Sequence, residues 1–207
     1  MRGAALTLYL WLGSAILSLS LGIVSGIVRS KQWRPNLLAY ILDVITFVLR
    51  GIPFYVQLLI AYFVVPNLLG FAPSAETTSI IALGLCSAAY TSQTVRGCID
   101  ALPLGQWEAC AVLGYSRYQT LRFVILPQAM RTMLPTLTNE LDQLLKSTTI
   151  ISSIGVLELT RVGMNIIARD MKPLPAYLTI AAIYLIISSL LQLLGQTCER
   201  KAAYVSR

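Results

Sequence analysis

Gln106-Trp107-Glu108-Ala109-Cys110-Ala111-Val112-Leu113-Gly114, continuing through residues 115–123 to Val124-Ile125-Leu126-Pro127, is the stretch from which the fold can be read. Apolar segments able to cross a bilayer flank it on both sides, yet it carries Glu108, Arg117 and Arg122 and keeps a helical pattern. The spacing predicts a first short helix over about 106–113, ended by Gly114, a residue that readily takes the left-handed conformation of a helix end. A second opens at Ser116, where Ser116 and Gln119 form an S-x-x-Q capping box, and Pro127 closes it. Helix, tight turn and helix make a compact polar knob on a membrane domain. Such a knob suits a groove on a soluble partner, with Trp107 and Glu108 as anchors.

The composition agrees with a membrane setting. Of 207 residues 56% are hydrophobic and only 12% charged, and the mean hydropathy is +0.70, the balance of one polytopic membrane domain. A net charge of +7 would suit nucleic acid, but the Lys and Arg residues lie in short loops and form neither a run nor a basic amphipathic helix, so no nucleic acid is expected. The absence of His removes the usual general base and the commonest metal ligand, and no metal site is expected. No G-x-x-x-x-G-K-[ST] sequence is present to cradle nucleotide phosphates, so ATP, if used, belongs to a partner and this chain holds no cofactor. Cys86, Cys98, Cys110 and Cys198 lack C-x-x-C spacing and read as reduced small residues in or near apolar segments.

Outward from the knob, five transmembrane helices are expected, over about 3–28, 36–65, 78–95, 128–154 and 176–195, in an all-α fold. The first contains no charge and runs into a basic loop at 29–34, where a signal peptide would end in small residues and a cleavage site; it is read as a span. The second is interrupted at Arg50-Gly51-Ile52-Pro53, either as a kink that opens a bundle face or with Arg50 snorkelling to the headgroups. Residues 154–175 carry Glu158, Arg161, Arg169, Asp170 and Lys172 among apolar residues and read as an amphipathic helix lying on the outer surface. With the amino end outside and the carboxyl end cytoplasmic, ten Lys and Arg fall inside and four outside, while Arg50 and Lys146 lie within spans.

The chemistry concentrates in the fourth span. Asn139, Asp142, Lys146, Thr149 and Ser153 recur at steps of three and four, with Glu140, Gln143 and Ser147 beside them. Each charge at bilayer depth costs at least ~2.5–3.5 kcal/mol on insertion scales, which marks such residues as pathway candidates. Asp142 and Lys146 also fit an internal i, i+4 ion pair. Glu140 has no cation at 136, 137, 143 or 144, which leaves it the better candidate for a ligand charge. In the third span Ser87, Tyr90, Thr91 and Thr94 share a face near Gln93, a hydroxyl stripe that reads first as helix packing. The candidate pathway residues are thus Tyr90, Gln93, Asn139, Glu140, Asp142 and Lys146.

Glu108-Ala109-Cys110, Gly114 and Val124-Ile125-Leu126-Pro127 together resemble the E-A-A, Gly, I-x-L-P coupling loop of the membrane subunits of ABC importers. Cys110 stands for the second Ala and Val124 for Ile, both small or isosteric changes. Leu49-Arg50-Gly51-Ile52-Pro53, Ala89-Tyr90 with Arg96-Gly97, and Gly105-Gln106-Trp107-Glu108-Ala109 are similar to the polar amino acid branch of that family, the histidine, glutamine, arginine and opine type. Within that branch the usual Glu is Gln93 here, and Asn139-Glu140 followed by Lys146-Ser147-Thr148 looks more like members that move cationic amino acids.

The resemblance implies a type I ABC importer permease (MetI-like) fold over 1–207, with 105–127 as the cytoplasmic coupling loop. It also implies a transport subunit without enzymatic activity, placed in the bacterial inner membrane. Its partners would be an ABC ATPase, a second permease chain, a periplasmic or lipid-anchored substrate-binding protein, the amino acid substrate and membrane lipid. Trp107, Glu108, Ala109, Cys110, Gly114 and Pro127 would couple it to the ATPase. Two other classes compete: an autonomous secondary transporter or membrane enzyme using the carboxylates of the fourth span, and a non-transporting scaffold. The first has no need of a knob built to be gripped, and the second has no need of a polar stripe.

Overall fold

The computed structural model describes residues 2–33 and 36–204, and among these every regular element is helical. Arg34 and Arg207, counted above among the inward charges, lie outside the described residues. The elements are α1 (Arg2–Val28), α2 (Leu37–Gly51), α3 (Phe54–Leu59) leading through a wide π turn at Ile60–Val64 into α4 (Val65–Leu69), and α5 (Ala75–Asp100). Then follow α6 (Leu104–Val112), α7 (Arg117–Thr120), a π turn at Leu121–Ile125, α8 (Leu126–Ser147) ending in a 3-10 stretch at Thr148–Ile154, α9 (Leu159–Asp170) and α10 (Pro173–Tyr204). By length and composition α1 and α10 can each cross a membrane, and two bent pairs, α2 with α3–α4 and the 117–154 run with α9, would be further spans. α5, with 26 residues and a length of about 39 Å, is long enough but less apolar.

Two glycines one helical turn apart decide how the body packs. α1 lies along α5, and at Gly22 an added Cβ would come within 2.5 Å of the Thr91 side chain. At Gly26 it would come within 2.6 Å of Val95 Cβ and 2.8 Å of the Ser92 carbonyl oxygen. Gly22-x-x-x-Gly26 is a small-residue seam of the kind that lets membrane helices approach closely, a spacing present in the sequence itself. Ser18 bonds across the same seam to Ser87 (2.8 Å) and Thr91 (3.1 Å). α8 packs on α5 and α10, and the Trp11 indole N–H donates to the Leu141 carbonyl at 2.9 Å, tying α1 to α8.

Three expectations are corrected. The second span is broken where a kink was expected, with α2 and α3–α4 meeting at 104°. Pro53 has no N–H to donate and holds Ile52 extended, at φ −100° and ψ 132°. The carbonyls this frees are taken by the Gln57 side chain, which donates to Leu49 O at 2.6 Å and Ile52 O at 2.7 Å. Pro127 does not close the helix it follows; it sits in the first turn of α8, directly after the 121–125 π turn. That wide turn pairs Leu126 N–H with Leu121 O, so the chain passes the missing Pro donor without stopping. Glu158, expected on an exposed face, is fully buried as the N-cap of α9.

Candidate functional site

A cavity of about 550 Å³ opens where the end of α2 and the 51–53 break face α5 and α8. Arg50, Cys86, Ser87, Tyr90, Asn139, Glu140, Gln143 and Ser147 supply much of its lining, which falls within the size of roughly 300–1,000 Å³ typical of small-molecule pockets. Glu140 reaches it from α8, and its two carboxylate oxygens are held by hydroxyls from α5: Thr94 donates at 2.5 Å and Thr91 at 2.9 Å. Thr91 is in turn bonded to Ser18, so the carboxylate is positioned through three helices. Among the described residues no cation lies within 4.0 Å of Glu140, while Arg50 faces it across the same cavity with its guanidinium 5.2 Å from the Tyr90 ring centroid. The hydroxyl stripe of α5 therefore serves both packing and the cavity.

Of the six pathway candidates, Tyr90, Asn139 and Glu140 line the cavity. The other three do not. Gln93 accepts a bond from buried Arg29, whose other donors go to Asp43 (2.7 Å) and Ser92 (2.8 Å). Asp142 faces α10, where it is held by Ser188 and Gln192, and it pairs with Lys146 at 2.6 Å. The i, i+4 ion pair is thus formed, and it is a packing device between α8 and α10. Arg96 also reaches Asp43 (3.0 Å), and the Lys31 backbone N–H reaches Asp100 (2.9 Å), so a charged cluster binds α1, α2 and α5 at the end next to the knob.

The knob has the predicted turn. Gly114 takes φ +80°, its N–H donates to Ala111 O (3.0 Å) and the Tyr115 N–H donates to Cys110 O (2.9 Å), the two bonds of a Schellman helix end. The capping box of Ser116 and Gln119 is present in both directions. Trp107, read as a partner anchor, instead points inward: it is 9% exposed and packs with Val95, Ile99, Leu121 and Ile125, and Cys110 is buried beside it. The open face carries Glu108, Ala109, Val112 (88% exposed), Leu113 (74%) and Tyr118 (60%). A nine-residue helix with weak amphipathicity gives little in its sequence to say which face turns inward. Of the four cysteines, all free, Cys86 and Cys110 are buried and Cys198 is exposed.

On the opposite side of the knob, buried Glu158 caps α9 through the N–H groups of Thr160 (2.8 Å) and Arg161 (2.7 Å) and accepts from the Tyr184 hydroxyl (3.2 Å) of α10.

A family model described as the binding-protein-dependent transport system inner membrane component matches residues 5–204. The chain is 35% identical over 201 residues to the arginine transport system permease protein ArtQ of Bacillus subtilis, covering 97% of this chain and 91% of the relative. It is 35% identical over 204 residues to the glutamine transport system permease protein GlnP of Escherichia coli, with the same coverage. Against the L-cystine transport system permease protein TcyB of Bacillus subtilis the identity is 36% over 203 residues, covering 96% and 84%. The crystal structure of an amino acid ABC transporter with histidines superposes with a TM-score of 0.87 at 30% identity, covering 97% of this chain and 92% of that one. The inward-facing MetNI methionine ABC transporter shares the fold, with a TM-score of 0.83 at 20% identity and coverage of 97% and 94%.

Proposed function

Because this chain belongs to the family of binding-protein-dependent transport system inner membrane components, as the permease of an amino acid ABC transporter, we propose that it is the subunit through which a cationic amino acid is imported, driven by ATP that a partner subunit hydrolyses. The relatives named for arginine, glutamine and cystine do not choose among substrates, so the choice rests on the cavity. The observation that carries it is Glu140, a carboxylate fixed by two threonine hydroxyls at the cavity wall with no cation bound to it. Arg50 acts on this carboxylate only across the cavity, and a carboxylate without a contacting cation in a low-dielectric site gains from a bound ammonium or guanidinium.

The ATPase docks on the open face of the knob, where exposed Val112, Leu113 and Tyr118 supply apolar contact and Glu108 supplies charge. Ala109 lies on the same face, while Trp107 and Cys110 seat the knob on the membrane domain, Gly114 sets its turn, and Pro127 joins it to α8. The knob then faces the cytoplasm, the amino end and α9 face the outside of the inner membrane, and a second permease chain completes the pathway. A substrate-binding protein delivers the amino acid on the α9 side. This chain holds no nucleotide and hydrolyses none.

The test is reconstitution. The chain should co-purify with an ABC ATPase, and vesicles holding the complex, supplied with the binding protein on the α9 side, should take up arginine, lysine or histidine only with ATP in the ATPase-bearing compartment. Uptake by the chain alone, driven by an ion gradient, would return the autonomous transporter reading.

A further inference from the structure

We infer that Arg50 is a specificity-determining residue, holding the substrate's α-carboxylate while Glu140 takes its cationic end; this rests on the cavity being the substrate passage. Arg50 stands in the last turn of α2 and lines the cavity opposite Glu140. Its guanidinium lies over the Tyr90 ring, 5.2 Å from the centroid, and among the described residues it makes no hydrogen bond and no ion pair within 4.0 Å. A guanidinium held over an aromatic face without a hydrogen-bond partner has its N–H donors available, in the fork geometry that matches a carboxylate.

The structural duties open to such an arginine are already filled by other groups. It is not needed to cap α2, because Gln57 takes the Leu49 and Ile52 carbonyls and the Ile52 N–H takes that of Val48. Nor does it neutralise Glu140 by contact, since two threonines hold that carboxylate. Arg29 and Arg96 in the same fold show the contrast, for both are paired with Asp43. Donors left open at the wall of a cavity between membrane helices call for an anionic acceptor.

The two charges also make one recognition unit. A lone carboxylate would accept any organic cation, including amines that lack an acid group. A carboxylate facing a guanidinium across one cavity accepts a molecule that carries both signs, as an α-amino acid does, and rejects its decarboxylated analogue by leaving Arg50 unpaired.

Equilibrium binding to the purified permease–ATPase complex, with no binding protein added, tests this with labelled arginine and with agmatine, which is arginine without its carboxylate. The wild type should bind arginine roughly ten- to a hundredfold more tightly than agmatine, the range expected for a charge-assisted hydrogen-bonded pair. Arg50→Gln should lower arginine affinity to near the agmatine value and leave agmatine binding unchanged or improved. Arg50→Lys, which keeps the charge and loses the fork, should fall between, with the melting midpoint of each variant confirming the fold. Equal loss of both probes in Arg50→Gln, or a wild type that does not distinguish them, would overturn the assignment. Glu140→Gln separates the two levels. If it weakens both probes while Arg50→Gln does not discriminate, only the role of Arg50 falls; if it affects neither, the cavity is not the passage and both readings fall.

Discussion

Gly114→Val isolates the turn of the knob from the rest of the fold. The residue sits at φ +80°, and a Cβ added there would meet nothing within 4 Å, so the penalty is one of backbone conformation and not of crowding. Holding an L-residue in the left-handed region costs about 1–2 kcal/mol, more for a β-branched one. That is enough to raise the open population of the turn by a factor of about 5–30. Opening it breaks the Gly114-to-Ala111 and Tyr115-to-Cys110 bonds, while Trp107 and Cys110 keep α6 seated on the membrane domain. The expected result is a graded series in vesicle uptake, with Gly114→Asn nearest to wild type, Gly114→Ala lower and Gly114→Val close to none. All three should melt in detergent within a few degrees of wild type. Normal uptake by Gly114→Val would refute a coupling role for the turn, and uptake lost in step with melting would show that the turn holds the fold instead.

Other substitutions separate packing from docking. Trp107→Ala empties a buried site and should cost about 3–5 kcal/mol, seen as a lowered melting midpoint, whereas Glu108→Gln on the open face should leave melting unchanged and weaken co-purification with the ATPase. Asp43→Asn leaves the buried Arg29 guanidinium without its counter-charge and should destabilise by about 3 kcal/mol, with thermal melting as the readout. Gly26→Leu drives a side chain into Val95 and the Ser92 carbonyl, and overpacking of about 1–3 kcal/mol should lower the yield of folded, detergent-stable protein.

What could be read from sequence was what local signals encode. The Gly114 turn and the Ser116–Gln119 box depend on neighbouring residues only, and both stand as expected. The isolation of Glu140 from cations on its own helix was equally visible, but its partners Thr91 and Thr94 come from α5, almost fifty residues away in sequence. The same holds for Asp43, whose partners among the described residues include Arg29 and Arg96, both outside its own helix. Pro53 marked a break in the second span, yet the 104° angle follows from the carbonyl capping by Gln57 and from packing against α5, neither of which has a one-dimensional signature. Pro127 misled because a π turn, invisible in periodicity, carries the helix past it. Trp107 misled because an aromatic at a helix start serves a partner or a core equally well until its face is known.

The most direct test of the account is ATP-driven uptake of labelled arginine, lysine and glutamine into vesicles, with wild type and Glu140→Gln compared under the same binding protein. Glu140→Gln keeps the shape and removes the charge that faces the cavity, with one threonine hydroxyl still donating to the amide oxygen and the other turned to accept from the amide NH2. Losing a charge-assisted contact of about 1.5–3 kcal/mol should lower arginine and lysine uptake at least tenfold at limiting substrate and leave any glutamine uptake within about twofold. Equal loss on cationic and neutral substrates would make Glu140 a structural residue, and no loss on any would place it off the pathway; either result contradicts the account.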